Sequence, residues 1–215
     1  MASKKSKNKF YVVWHGHEPG IYNSWAKCRA AIRGVSNARY KGFSTREAAE
    51  RALGEGSAEH WGTGKHVSRL SEQALARVGQ PLAPSICVDA GCDAPVGVME
   101  YRGVQMPDRS IVFAHKPIQQ ATNNMGEFLA LVHALGFLKK QQLDWPVYSD
   151  SVTALAWLNR RNVRSKAMAE GRTSPQADDL VRRALDWLGS NEFANPILKW
   201  QTEAWGEIPA DYGRK

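Results

Sequence analysis

Four carboxylates stand where a folded sheet would gather them. Asp89 follows the apolar run 85–88, Asp150 ends the run 146–149, Glu127 lies in the first turn of a helical pattern between them, and Asp211 sits far downstream. Successive separations of 38, 23 and 61 residues mean that only a fold, and no local loop, can unite them. Each close pair would repel by roughly 4 kcal/mol at an effective dielectric near 20. Divalent cations relieve such repulsion, and hard oxygen ligands suit magnesium, with manganese able to substitute. Two ions about 3.5–4 Å apart activate a water and stabilise a leaving oxygen in phosphodiester cleavage. Each acid also has a plainer reading. Glu127 completes a capping box with Asn124, Asp150 neighbours a helix start at Ser151, Asp89 precedes a turn, and Asp211 is a solvated residue. As a set, at the carboxyl ends of strands where open α/β sheets collect ligands, they point to a metal site.

The elements that must position them follow from pattern. Residues 85–88, 96–104 and 111–118 read as three strands, and 124–140 as a helix with Phe128, Leu131, Leu135 and Leu138 on one face. Strand 146–149 precedes a helix through Leu158, and 175–189 is a helix with Leu180, Ala184, Trp187 and Leu188 in register. Residues 196–200 form the last strand. Three strands followed by alternating helices and strands predict an α/β domain over 84–215, one mixed five-stranded sheet flanked by helices. Ahead of it, residues 8–53 read as a small α+β domain. It has strands at 10–14 and 21–25, a helix at 25–32, an extended run at 40–43, and a capping box from Ser44 to Glu47 opening a helix through Leu53. Residues 1–7 are a basic tail, and 54–83, with Gly and Pro at its ends, reads as a linker.

Charge separates the two parts. Residues 1–53 hold 11 basic and 3 acidic side chains, which accounts for the whole net charge of +8. A basic segment joined to a neutral body fits a polyanion-binding module, and Trp14, Trp25, Tyr11, Tyr22, Tyr40, Phe10 and Phe43, interleaved with that charge, are more than a solvated tail needs. The longest mainly apolar run, 128–138, is about half a membrane span, and no apolar stretch follows the basic start as a secretory signal would require. Three unpatterned cysteines give neither a disulfide framework nor zinc spacing. The expectation is a soluble cytoplasmic monomer with no membrane contact and no obligate protein partner.

With these residues in view, the chain from 84 onward resembles type 1 ribonuclease H. Its marks are the helix start Thr122-Asn123-Asn124-Met125-Gly126-Glu127, the strand end Tyr148-Ser149-Asp150-Ser151, and the stretch from Ile197 to Lys215 that includes Trp205, Glu207 and Asp211. The first domain resembles the family's amino-terminal hybrid-binding, or viroplasmin-like, domain through Tyr11–Trp14, Pro19–Tyr22, Trp25 with Cys28, and Ala38–Phe43. The resemblance implies a ribonuclease H-like fold and an endoribonuclease that cuts the RNA strand of RNA–DNA hybrids with two Mg2+ ions, leaving 5′-phosphate and 3′-hydroxyl ends, in the removal of RNA primers and R-loops. It implies that Asp89 bridges both metals, that Asp150 helps hold one and that Glu127 and Asp211 hold the other. It gives Asn123 and Asn124 contacts to the hybrid, with Ser151 beside them, and has Thr122, Asn124, Ser165 and Thr202 grip phosphates. In the first domain it sets Trp25 and Tyr40 against the DNA sugars, with Arg39 and Lys41 beside phosphates.

Departures from the family pattern carry expectations of their own. The usual glycine-rich turn after the first aspartate is here 90–95, with Cys92 as a possible contact. The flexible histidine that many members place before the last aspartate has no counterpart, since all six histidines lie elsewhere, and Glu207 is the candidate substitute. The usual paired lysines of the first domain are reduced to Lys41-Gly42. Two other readings compete. A binding protein without catalysis predicts erosion of the carboxylate set, yet all four are present; a proofreading exonuclease predicts an Asp-x-Glu first motif, where Asp89 is followed by Ala90 and Gly91.

Overall fold

The computed structural model describes residues 9–33, 35, 38–60, 68 and 70–212. The chain divides into two compact units, residues 1–65 and 66–215. The basic tail 1–7 lies outside the described residues.

In the first unit, β1 (Phe10–His15) is the centre of an antiparallel sheet, flanked by β2 (Gly20–Tyr22) and β3 (Arg39–Phe43). Helix α1 (Trp25–Ile32) starts where the Ser24 hydroxyl accepts from the Lys27 N–H, so the second strand ends before the expected Trp25. Helix α2 (Arg46–Glu55) is capped by Thr45, whose hydroxyl accepts from Ala48 N–H, one residue past the expected Ser44. A short α3 (Ser57–His60) follows within the stretch expected to be linker. Strand alternation splits the small core in two. Val13 and Tyr40 pack with Cys28, Ala31 and Ile32 of α1, whereas Val12 packs with Ala49 and Ala52 of α2. The Trp14 indole donates to the Ala52 carbonyl at 3.0 Å and ties α2 to the sheet.

The second unit opens with α4 (Glu72–Val78), also inside the expected linker. Its sheet contains β4 (Ser85–Cys92), β5 (Gly97–Met106), β6 (Ile111–Ala114), β7 (Ile118–Ala121), β8 (Val147–Ser149) and β9 (Ile197–Lys199). The order is β6-β5-β4-β8-β9, with β7 pairing β5 as a sixth strand. Pairings among β4, β5, β6 and β7 are antiparallel, and β4, β8 and β9 run parallel. The expected single strand 111–118 is thus two, because His115–Pro117 breaks it and Pro117 has no N–H for a ladder.

Helix α5 (Asn123–Gln141) lies on one face of this sheet. It is covered in turn by α6 (Val152–Arg160) and α8 (Pro175–Ser190), while α7 (Lys166–Ala169) and α9 (Thr202–Trp205) are single turns. Because α5 is sandwiched, every residue from Met125 to Val132 is buried, a wider apolar surface than one stripe. The outer α8 buries only Ala177, Val181, Ala184 and Leu188. The opposite face of the sheet carries a smaller core of Cys87, Val104, Tyr148, Trp200, Ile208 and Ala210. Among the described residues no helix is long and apolar enough to cross a membrane.

Candidate active site

Two parallel strands bring the first two acids together. Val88 of β4 pairs with Ser149 of β8, so Asp89 and Asp150 are the next residues at the same sheet edge. Glu127 reaches them from the first turn of α5, where Gly126 allows a close approach: a Cβ there would lie 2.7 Å from the Ala90 Cβ. Asp89, Glu127 and Asp150 each offer a carboxylate oxygen, and these atoms lie within 4.8 Å of one another. Asp89 is 3% exposed. Burial holds its carboxyl well above the ordinary carboxylate range, and the charges of Asp150, Asp211 and Glu127 push it further in the same direction. The Tyr212 N–H, donating to Asp89 Oδ2 at 3.2 Å, opposes the shift. Crowded, dehydrated carboxylates of this kind fit a hard divalent cation, which supplies the missing counter-charge.

Asp211 arrives from a segment without helix or strand. Its N–H donates to the Ile208 carbonyl at 2.8 Å, and the Trp200 indole fixes the turn before it by donating to the Gly206 carbonyl at 2.8 Å. Glu207 is exposed between buried Gly206 and Ile208 on that same turn.

The expected hybrid contacts divide into two groups. Some are committed to structure. Thr122 caps α5, its hydroxyl accepting from Met125 N–H, and the Asn123 amide donates to Glu127 Oε1 at 2.9 Å. Glu127 is therefore oriented by Asn123 and does not close a capping box with Asn124. Ser151 is buried and caps α6, accepting from Ala154 N–H at 3.1 Å. Others face outward. Asn124 is exposed beside the acids, Thr202 is half-buried at the start of α9, and Ser165 caps α7. Ser165 lies between Arg164 and Lys166 in an open groove of about 470 Å³, which these two cations make positive. The Cys92 thiol turns back to donate to the Ala94 carbonyl at 2.9 Å.

In the first unit an aromatic surface forms as Trp25 meets Tyr11 and Tyr40, each at 5.5 Å between ring centroids, with Trp25 39% exposed. The basic pair does not share it. Tyr40 pairs with Val13 on the α1 side, and Lys41 pairs with Val12 on the α2 side. Lys41 Nζ donates to the His60 carbonyl at 3.0 Å and Arg39 to Ser57 Oγ at 3.1 Å, so α3 engages both. Period-two alternation along 39–43 contains this separation, and it is the signal that the expectation of one shared contact surface overlooks.

Three contributors escape a reading of motifs: the Asn123 amide on Glu127, the Tyr212 N–H on Asp89, and Arg102 of β5. The Asn123 contact has a sequence signal, an amide four residues ahead of an acid on one helix face. The other two join residues more than a hundred positions apart.

Parts of this chain are similar to known proteins. Residues 9–53 match the family model of the Ribonuclease H1 N-terminal domain. Ribonuclease H of Saccharomyces cerevisiae (strain ATCC 204508 / S288c) is 32% identical over 83 residues, 35% of this chain and 24% of that protein. Ribonuclease H of Crithidia fasciculata is 42% identical over 43 residues, 20% of this chain and 9% of that protein. The chain thus spans a quarter or less of the length of these curated relatives. Among solved structures, RNase H1 from the halophilic archaeon Halobacterium salinarum NRC-1 is 21% identical, over 56% of this chain and 89% of that one, with a TM-score of 0.38. Over residues 9–53 the chain is similar to the Ribonuclease H1 N-terminal domain, and parts of it are similar to proteins named ribonuclease H.

Proposed function

We propose that the chain is an endoribonuclease that hydrolyses the RNA strand of RNA–DNA hybrids with two divalent cations, Mg2+ or Mn2+, and leaves 5′-phosphate and 3′-hydroxyl ends. It acts as a cytoplasmic monomer on RNA primers and R-loops. The observation that carries this reading is the convergence of Asp89, Glu127 and Asp150 within 4.8 Å, with Asp211 close enough to raise the Asp89 carboxyl. When bound, the cations supply positive charge to the attacked phosphodiester and its leaving oxygen. The chain's own residues do the rest. Asp89, Glu127, Asp150 and Asp211 would hold the cations, and the Asn123 amide fixes the Glu127 carboxylate by donating to its Oε1. Exposed Asn124, with Thr122, Thr202 and the Ser165 groove between Arg164 and Lys166, grips the backbone of the RNA strand and the phosphates beyond the cut. Exposed Glu207, four residues before Asp211, would draw a cation away after cleavage and so ease release of the 5′-phosphate product. The basic first unit attracts the duplex, with exposed Trp25, backed by Tyr40, packing on sugars and Arg39 and Lys41, on the other face of β3, adding charge that draws phosphates.

A gel assay with matched RNA–DNA, RNA–RNA and DNA–DNA duplexes, with and without Mg2+, tests the reading. Internal cuts confined to the RNA of the hybrid are expected, lost in Asp150→Asn while hybrid binding persists. Cutting by Asp150→Asn at the wild-type rate would remove the metal assignment.

A further inference from the structure

Asp211 has to be delivered to the site by residues 206–212, which belong to no helix or strand. Only specific contacts can hold such a segment in place. Arg102 provides three of them. It lies on β5 directly across from Asp89, so both side chains leave the sheet on the same face, the one opposite α5. From there the guanidinium donates through Nε to the Ala210 carbonyl at 2.9 Å and through Nη2 to the Asp211 carbonyl at 2.7 Å. Its Cζ also lies 4.5 Å from the centroid of the Tyr212 ring. Tyr212 in turn donates its N–H to Asp89 Oδ2. One side chain therefore fixes three consecutive residues of the segment and, through the last of them, the orientation of the buried Asp89 carboxylate.

The chemistry suits arginine in particular. Two carbonyls on adjacent residues need two donors held in a fixed plane, and the flat face that remains stacks on an aromatic ring. A lysine ammonium, a point charge on a flexible stem, can satisfy one of these contacts at a time.

We propose that Arg102 is a positioning residue of the metal site: by clamping the backbone of Ala210 and Asp211 and stacking on Tyr212, it sets the Asp211 and Asp89 carboxylates for cation binding. The proposal rests on the reading of the carboxylates as a metal centre. It differs from a general packing role because part of its effect must pass through Asp211, the rest passing through Tyr212 to Asp89.

The test is Mn2+ binding to the full chain by isothermal titration calorimetry, comparing wild type, Arg102→Met, Arg102→Lys, Asp211→Asn and the Arg102→Met/Asp211→Asn double variant. Loss of partners that orient metal ligands typically weakens affinity 10- to 100-fold. Because Arg102 bonds to backbone rather than to the carboxylates, we expect the lower end, about 10-fold for Arg102→Met, with Arg102→Lys between it and wild type. In the Asp211→Asn background the same Arg102 substitution should cost clearly less than it does in wild type, since two changes that share one group are not additive, and what remains passes through Tyr212 to Asp89. Wild-type affinity in Arg102→Met, or an equal loss with and without Asp211, would overturn the positioning role. If circular dichroism shows Arg102→Met unfolded, the Arg102→Lys substitution made with and without Asp211→Asn decides by the same criterion. Absence of Mn2+ binding by the wild type would overturn the metal reading itself and this proposal with it.

Discussion

Gly126 lies at a close approach of α5 to β4 and β5, one residue before Glu127. Replacing it with alanine would place a Cβ 2.6 Å from Met99 Sδ, 2.8 Å from Met99 Cγ and 2.7 Å from the Ala90 Cβ. The methionine can swing away, but Ala90 is fixed on β4 beside Asp89. Ordinary van der Waals contact begins at 3.4 Å, so the first turn of α5 must lift by about 0.7 Å to accommodate the methyl. Overpacking of this kind costs about 1–3 kcal/mol, and the better helix propensity of alanine returns about 1 kcal/mol. The net loss of stability is therefore about 0–2 kcal/mol. Activity should suffer far more, because Glu127 rides on the same turn and a misplacement approaching 1 Å at a reacting centre can cost about 100-fold. Single-turnover cleavage of a hybrid at saturating enzyme and Mg2+, measured beside urea unfolding, separates the two effects. A Gly126→Ala protein that cleaves within about threefold of wild type would refute the claim that this approach sets the site.

Three further outcomes are expected. Since burial and the neighbouring acids raise the Asp89 carboxyl, the folded protein keeps a proton that the unfolded chain has lost; this stabilisation is full below about pH 3.9 and is lost as pH rises through the folded value. Calorimetry in EDTA should then show stability falling above about pH 4 and a gain at neutral pH for Asp89→Asn, whereas a metal-free profile identical in both proteins would contradict it. A chain beginning at residue 84 loses the bonds from Ser68 Oγ to the Glu203 carbonyl, from the Trp205 indole to the Gly79 carbonyl and from Leu82 N–H to the Tyr148 hydroxyl. At about 1 kcal/mol each, its urea stability should fall by about 2–3 kcal/mol relative to a chain beginning at 68, and equal midpoints would return 68–83 to the status of a linker. In the full chain, Trp25→Ala should weaken hybrid binding by fluorescence anisotropy on the order of 10-fold with an unchanged salt slope, while Arg39→Gln should lower the slope by about one; the reverse pattern would exchange their assignments.

Much of the site is legible in the chain because Asp89, Asp150 and Glu127 sit at element ends that local pattern reveals. Apolar runs mark where β4 and β8 approach the sheet edge, and the apolar face of 124–140 marks α5, although its cap is Thr122 and not Asn124. Asp211 is different. Its surroundings have no periodicity, and its place depends on Arg102 and on Asp89, 109 and 122 residues earlier. Long-range polar contacts of this kind leave no trace in spacing. Element boundaries moved for local reasons that compete on nearly equal terms: Thr45 rather than Ser44 capped α2, and Pro117 divided one expected strand into β6 and β7. The stretch 54–83, rich in turn residues at its ends, still supplied α3 to one unit and α4 to the other. Its anchors, Trp14 stacked on His60 and Trp205 bonded to Gly79, are single contacts that composition cannot register.

The central claim is that these carboxylates hold two cations which act together on an RNA strand. Crystals of the Asp150→Asn protein with a short RNA–DNA hybrid, and of wild type with the same hybrid and Mn2+ under conditions too cold for turnover, allow anomalous scattering to locate the ions directly. In the wild type, two peaks about 3.5–4 Å apart are expected, with Asp89 between them and an RNA phosphate bridging them, and a weakened or missing peak in Asp150→Asn. A single peak away from Asp89, or none, would contradict it.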